Sequence, residues 1–127
     1  MRVMVIGASR DRSKYGNRAV RAYLAQGHAV LPVNPNADEI EGVEAYVRIA
    51  DVPGPIDRAT VYLPAAAGIE AMDELAARGD VNEVWLNPGA DDSVVLDRAK
   101  ELGLTTIQAC SVLAIGQDPE LMSTGEH

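Results

Sequence analysis

The sequence predicts an α/β protein: a Rossmann-like, doubly wound parallel sheet of five to six strands, built as a three-layer α/β/α single domain. Three observations carry this expectation. Short apolar runs alternate with helical patterns of roughly ten to thirteen residues. Glycine, proline or asparagine punctuates the boundaries between them. The 127 residues, 47% hydrophobic and 24% charged, are enough for one core.

Val3 to Ile6 is a continuous apolar run, the pattern of a parallel strand covered on both faces, and Gly7 ends it. From about Gly16 to Gln26, Val20, Tyr23 and Leu24 share one helical face, with Gly27 as the stop. His28 to Val33 is the second strand, closed by Asn34-Pro35-Asn36. The helix between them makes the two strands parallel and the crossover right-handed. Residues 37–57 are the least regular part, with a short edge strand expected near Val43 to Val47 and a helical turn near Ile49. Arg58 to Leu63 is a strand stopped by Pro64, and a helix from about Ala66 to Arg78 turns Ile69, Met72, Leu75 and Ala76 toward the sheet. Val81 to Leu86 follows as a strand. Asn87-Pro88-Gly89 then leads into a helix with Asp91 and Asp92 in its first turn and Arg98 and Lys100 in its last, charges that complement the helix dipole. Gly103 ends that helix, and Leu104 to Ile107 is the final strand. The domain is placed at residues 1–110, with 111–127 a C-terminal extension in which Gly116, Pro119 and Gly125 break any long helix.

The apolar opening Met1 to Ile6 is too short for a signal segment or a membrane span, so a cytoplasmic location is expected. Cys110 has no partner for an internal disulfide, and His28 and His127 form no cluster with metal-ligand spacing, so no metal site is expected. His28 falls at the end of the sheet opposite the ligand crevice, and Cys110 reads as a small buried residue after the last strand. A net charge of −8 argues against nucleic acid or an anionic membrane as partner. The charge is uneven: residues 10–21 carry +4 through Arg10, Arg12, Lys14, Arg18 and Arg21 against Asp11, while the remainder carries −12.

Sheets of this class bind ligands outside the carboxyl ends of their strands, where strand order reverses. Those ends are Gly7, Val33-Asn34 and Leu63-Pro64. A glycine after the first strand lets backbone N–H groups approach an anion, and the next helix aims its positive end at the same place. Ser9 or Ser13 can add a hydroxyl and Lys14 a charge, a set suited to a pyrophosphate. The nicotinamide fingerprint fits badly, because G-x-G-x-x-G would need glycines at Ser9 and Arg12, and Asn34 stands where the ribose-binding acid is expected. A diphosphate nucleotide other than NAD is the better reading. Coenzyme A is one, with a further 3′-phosphate that a nearby arginine can take. Tyr15 in the loop is placed to cover a ligand, whereas Tyr23 belongs to the core. The pattern brings no nucleophile, base and orienter together, so the chain reads as a binding module rather than an enzyme.

Gly7-Ala8-Ser9, Ser13-Lys14-Tyr15-Gly16-Asn17, Val33-Asn34-Pro35-Asn36, Val61-Tyr62-Leu63-Pro64 and Trp85-Leu86-Asn87-Pro88-Gly89-Ala90 together resemble the small stand-alone bacterial CoA-binding proteins. That family is similar to the CoA-binding domain of the succinyl-CoA synthetase alpha subunit, and the resemblance runs from about residue 3 to Cys110. It implies a protein that holds coenzyme A or an acyl-CoA without covalent chemistry. Gly7, Ala8, Ser9 and Lys14 would cradle the phosphates, with Gly16 and Asn17 at the helix start beside them. Val33, Asn34 and Pro35 would face the adenosine end and Leu63 and Pro64 its other side; Arg10 and Tyr15 join the expected set from their place in the loop. The expected partner is a small-molecule nucleotide, with a homodimer or an unidentified protein partner left open. The alternatives are an NAD(P)-dependent reductase and a subunit of an acyl-CoA synthetase or transferase. The synthetase carries its phosphorylated histidine in a separate ligase domain, so its chemistry does not transfer to these residues.

Overall fold

The alternation of apolar runs and amphipathic helices resolves into a single parallel sheet in a computed structural model that describes residues 1–122; Gly125 and His127 lie outside the described residues. The elements are β1 (Arg2–Ile6), α1 (Tyr15–Ala25), β2 (Ala29–Val33), β3 (Glu39–Ile40), β4 (Val43–Glu44), a 3-10 turn (Ile49–Asp51), β5 (Ile56–Val61), α2 (Ala65–Arg78), β6 (Val81–Leu86), α3 (Ser93–Glu101), β7 (Thr106–Gln108), α4 (Ser111–Ala114) and a second 3-10 turn (Pro119–Leu121). Five strands pair in the order β2-β1-β5-β6-β7, every neighbour parallel. This is the doubly wound, Rossmann-like arrangement read from the sequence.

Side chains alternate across each strand, and the apolar runs therefore feed two cores. Met4, Ile6, Leu31, Val33, Ala59, Val61, Val84 and Leu86 face α2 and α3, which supply Met72, Leu75 and Val95. Val3, Val5 and Val30 face α1, which supplies Ala19, Val20 and Tyr23. Register brings the strand ends level: Ile6 pairs with both Val33 and Val61, and Val61 with Leu86. Four carboxyl ends consequently open on one edge of the sheet.

The irregular stretch differs from expectation. In place of an edge strand over 43–47, β3 and β4 form a two-stranded antiparallel hairpin around Glu41 and Gly42, at φ 50° and 79°. A glutamate is an unusual residue for that left-handed conformation, which hid the turn. Beyond it Tyr46 forms one bridge to Val33, its N–H donating to the Pro32 carbonyl at 2.8 Å and its carbonyl accepting from Asn34 N at 2.9 Å. β5 starts earlier than expected because Ile56 is buried and paired with Val81. β7 starts later, because the Leu104 N–H is used on the Ala99 carbonyl at the end of α3. Asp92 caps α3, its carboxylate accepting from Val94 N at 3.0 Å, rather than lying within the first turn.

Residues 111–122 return across α1. Ser111 and Val112 are buried, the Tyr23 hydroxyl donates to the Ser111 carbonyl at 3.1 Å, and Arg18 Nη1 donates to the Pro119 carbonyl at 2.9 Å. A buried amide ties this segment to the sheet. Asn87 Nδ2 donates to Thr60 Oγ1 at 2.7 Å and the Val61 carbonyl at 3.0 Å, while its Oδ1 accepts from Ser111 N at 2.9 Å. Replacing Asn87 by leucine strips the buried Ser111 N–H of this acceptor and removes two donated bonds, while Thr60 Oγ1 keeps Ser111 Oγ at 2.7 Å, at a cost of about 2 kcal/mol. Urea unfolding is expected to show a lower midpoint for Asn87→Leu with an unchanged slope; an unaltered midpoint would count against this role.

Candidate functional site

The turn after β1 is shaped by two glycines. Gly7 has φ +87°, and a Cβ there would sit 2.2 Å from the Tyr62 carbonyl oxygen. Gly16, in the first turn of α1, would place a Cβ 2.1 Å from the Gly7 carbonyl oxygen. The helix thus starts in backbone contact with the turn, and its first turn carries no acid to offset the positive end of its dipole. Two amides hold the turn from outside: Asn34 Nδ2 donates to the Ala8 carbonyl and Asn17 Nδ2 to the Ser9 carbonyl, both at 2.8 Å. These carbonyls are thereby committed away from an incoming anion.

A cleft of about 580 Å³ opens over the strand ends. Gly7, Ala8, Ser9, Lys14, Tyr15, Gly16, Asn34, Pro35, Leu63 and Pro64 all line it. A groove of about 320 Å³ shares Gly7, Ala8, Asn34, Pro35 and Leu63 with the cleft and continues past Val33 toward α2, where Arg48, Glu70 and Glu74 border it. Asn17 does not reach the cleft; it is fully buried, and its second contact is Glu41 Oε2 at 3.0 Å. Arg10 also turns away, with Nη2 2.9 Å from Asp38 and Nε donating to the Glu39 carbonyl at 3.0 Å.

The other arginines of the basic run follow the same pattern. Arg12 pairs with Glu41 at 3.1 Å, Arg21 donates to Asn17 Oδ1 at 2.7 Å, and Arg18 lies 5.0 Å over the Tyr15 ring. Opposite charge explains the contacts of Arg10 and Arg12 with the acidic β3–β4 hairpin, whereas Arg18 and Arg21 bond to the Pro119 and Arg12 carbonyls and the Asn17 amide. Ser13 is likewise diverted: its hydroxyl donates to Asp11 Oδ1 at 2.6 Å, a bond that holds the Asp11 carboxyl below the usual range. Lys14 is the cation of the run that lines the cleft.

Asn36, Tyr62, Pro88, Gly89 and Ala90 also line the cleft and were not assigned from sequence, nor was Arg48 in the groove. The signal for Tyr62 and for residues 88–90 was present, because they lie within four residues of the ends of β5 and β6, which open on the same edge. Cys110 is partly exposed rather than buried, in the wall of a neighbouring hollow. His28 lies at the opposite end of the sheet, its Nδ1 3.0 Å from the terminal amine; burial, then that positive charge, lowers its pKa.

A glycine turn, a helix start and one lysine over the switch point of a parallel sheet define a nucleotide-binding α/β domain, and comparison with known proteins gives the family. The pattern described as CoA binding domain matches residues 1–116, and the chain belongs to that family. It is 38% identical over 89 residues to the acetate–CoA ligase (ADP-forming) II of Archaeoglobus fulgidus, covering 68% of this chain and 13% of the ligase. It is 29% identical over 106 residues to the alpha subunit of acetate–CoA ligase (ADP-forming) II of Pyrococcus furiosus, covering 83% of this chain and 23% of the subunit. The chain therefore spans less than a quarter of either relative. A solved protein from Thermus thermophilus superposes with a TM-score of 0.81 at 29% identity, covering 91% of this chain and 87% of its own.

Burial pushes the Tyr62 phenol up to about 12. An ordinary tyrosine titrates near 10, so the stability gained from burying the neutral phenol is complete below about pH 10 and is lost as pH rises toward 12. Unfolding free energy measured in urea should fall across that window, and Tyr62→Phe should fall less. Parallel declines for the two proteins would contradict the assignment.

Proposed function

We propose that the cleft binds coenzyme A or an acyl-CoA without covalent chemistry. The observation that carries this reading is the convergence of the Gly7–Gly16 turn, the positive end of α1 and Lys14 on one cleft that continues into an apolar-sided groove. The diphosphate lies against Gly7, Ala8, Ser9 and Lys14, with Tyr15 and Gly16 beside it. Adenosine extends over Asn34 and Pro35 toward Val33, with Leu63 and Pro64 on its other side. Arg10 and Asn17 act indirectly, by fixing the loop. Among the described residues Lys14 and Arg48 belong to no ion pair, and Arg48 is the cation that borders the adenosine groove. It therefore takes the 3′-phosphate.

The main cleft is lined by glycine and alanine backbone, the amides of Asn34 and Asn36, Ser9, Lys14, Tyr15 and Tyr62, and the apolar Leu63, Pro35, Pro64 and Pro88. This set suits the binding of phosphates, and among the described residues it contains no carboxylate, histidine or cysteine. A nicotinamide cofactor is disfavoured at Asn34, whose amide is used on Ala8 and on Asn36 N, at 2.7 Å, where an acid would take the ribose hydroxyls. The ligase relatives favour one further reading: the same cleft presents CoA to a separate catalytic unit, as part of an acyl-CoA synthetase. Ligase activity recovered with a copurifying protein would support it.

Isothermal titration with CoA should give saturable binding, and the absence of heat at millimolar CoA would overturn the proposal. Lys14→Ala should weaken CoA and dephospho-CoA alike by about tenfold, the loss of one charge-assisted contact of about 1.4 kcal/mol. Arg48→Ala should weaken CoA by a similar factor and leave dephospho-CoA unchanged. Equal losses for the two ligands would remove Arg48 from the 3′-phosphate.

A further inference from the structure

On the side of the cleft away from the adenosine groove lies a hollow of about 280 Å³. Tyr15, Tyr62 and Pro88 line both the cleft and the hollow, so the two adjoin. The far wall is the returning C-terminal segment, with Cys110, Leu113 and Pro119. The Tyr15 hydroxyl donates to the Glu120 carboxylate, so the roof is a contact between the start of α1 and that segment. Arg18 reinforces it, lying 5.0 Å over the Tyr15 ring while bonded to the Pro119 carbonyl.

Resting on the reading of the cleft as a CoA site, we propose that this hollow receives the acyl group of a thioester, and that the preferred ligand is CoA carrying a short, uncharged acyl chain. A nucleotide whose diphosphate lies at Gly7 and whose adenosine leaves past Pro35 sends its thiol arm the other way, past Tyr62 and Pro88. That path ends in the hollow. The walls there are tyrosine rings, prolines and a leucine, surfaces that gain from an alkyl chain and nothing from a bare thiol. Asp118 and Glu120 also border the hollow and oppose an acyl chain that ends in a carboxylate. Tyr62 contributes to the wall while its hydroxyl lies 3.5 Å from the buried Ser111 Oγ, at the limit of a hydrogen bond.

The test is isothermal titration with CoA, acetyl-CoA, butyryl-CoA and succinyl-CoA. Affinity should rise about fourfold per methylene from acetyl to butyryl, as for a chain entering an apolar site. Succinyl-CoA, similar in length but charged at its end, should bind at least tenfold more weakly than butyryl-CoA. Leu113 is 57% exposed, so Leu113→Trp fills the hollow without disturbing the core; this variant should lose the butyryl gain and keep the affinity for CoA. Equal affinities of the native protein for CoA and butyryl-CoA would overturn the acyl assignment and leave the CoA reading intact, as would a loss of CoA and butyryl-CoA together in Leu113→Trp. No binding of any of the four would overturn both.

Discussion

The contact of Gly16 with the Gly7 carbonyl governs both the ligand end of this domain and half of its core. A Cβ at residue 16 would lie 2.1 Å from that oxygen, so α1 starts where only hydrogen fits. From this origin the helix runs so that Val20 and Tyr23 meet Val3 and Val5 of β1. The same origin brings Asn17 to the Ser9 carbonyl and the Tyr23 hydroxyl to Ser111. One close approach of backbone to backbone therefore sets the aim of the helix dipole, the shape of the turn and the docking of the last segment.

Much of this architecture is written locally. Strands buried on both faces read as unbroken apolar runs, and the turns that end them carry glycine, proline or asparagine, so β1, β2, β5 and β6 and their helices stand out in order. The β3–β4 hairpin does not, because what stabilises it is distant: Glu41 accepts from Arg12 and from Asn17, both on the other side of β2 in sequence. The site divides in the same way. Gly7 to Ser9 and Asn34 to Pro35 follow strands directly and were legible. Tyr62 and Pro88 to Ala90 follow strands too, but they join the cleft only once β5 and β6 are known to lie beside β1. Arg48 arrives by a loop pinned through the single Tyr46 bridge, and no local pattern announces that.

The basic run shows how a charge pattern divides once its partners are in view. Five cations within twelve residues read as an anion site, yet Arg10 and Arg12 serve the acids of the hairpin, and Arg18 and Arg21 serve backbone carbonyls and an amide. Their effect is mechanical, bracing the loop and the returning segment around the first helix. The positive character of the cleft rests instead on Lys14 and on the oriented peptide groups of α1, which keep their polarity at any pH at which the domain is folded.

The Tyr46 bridge and the proline in β2 also bear on self-association. Exposed edge strands are templates for pairing between chains. One outer edge of this sheet is β2, where Pro32 has no N–H to offer and its carbonyl is already occupied by Tyr46. The other is β7, only three residues long. A sheet with both faces apolar thus limits lateral growth at its margins: at the carboxyl end of β2 by a missing donor and a crossing loop, at β7 by brevity.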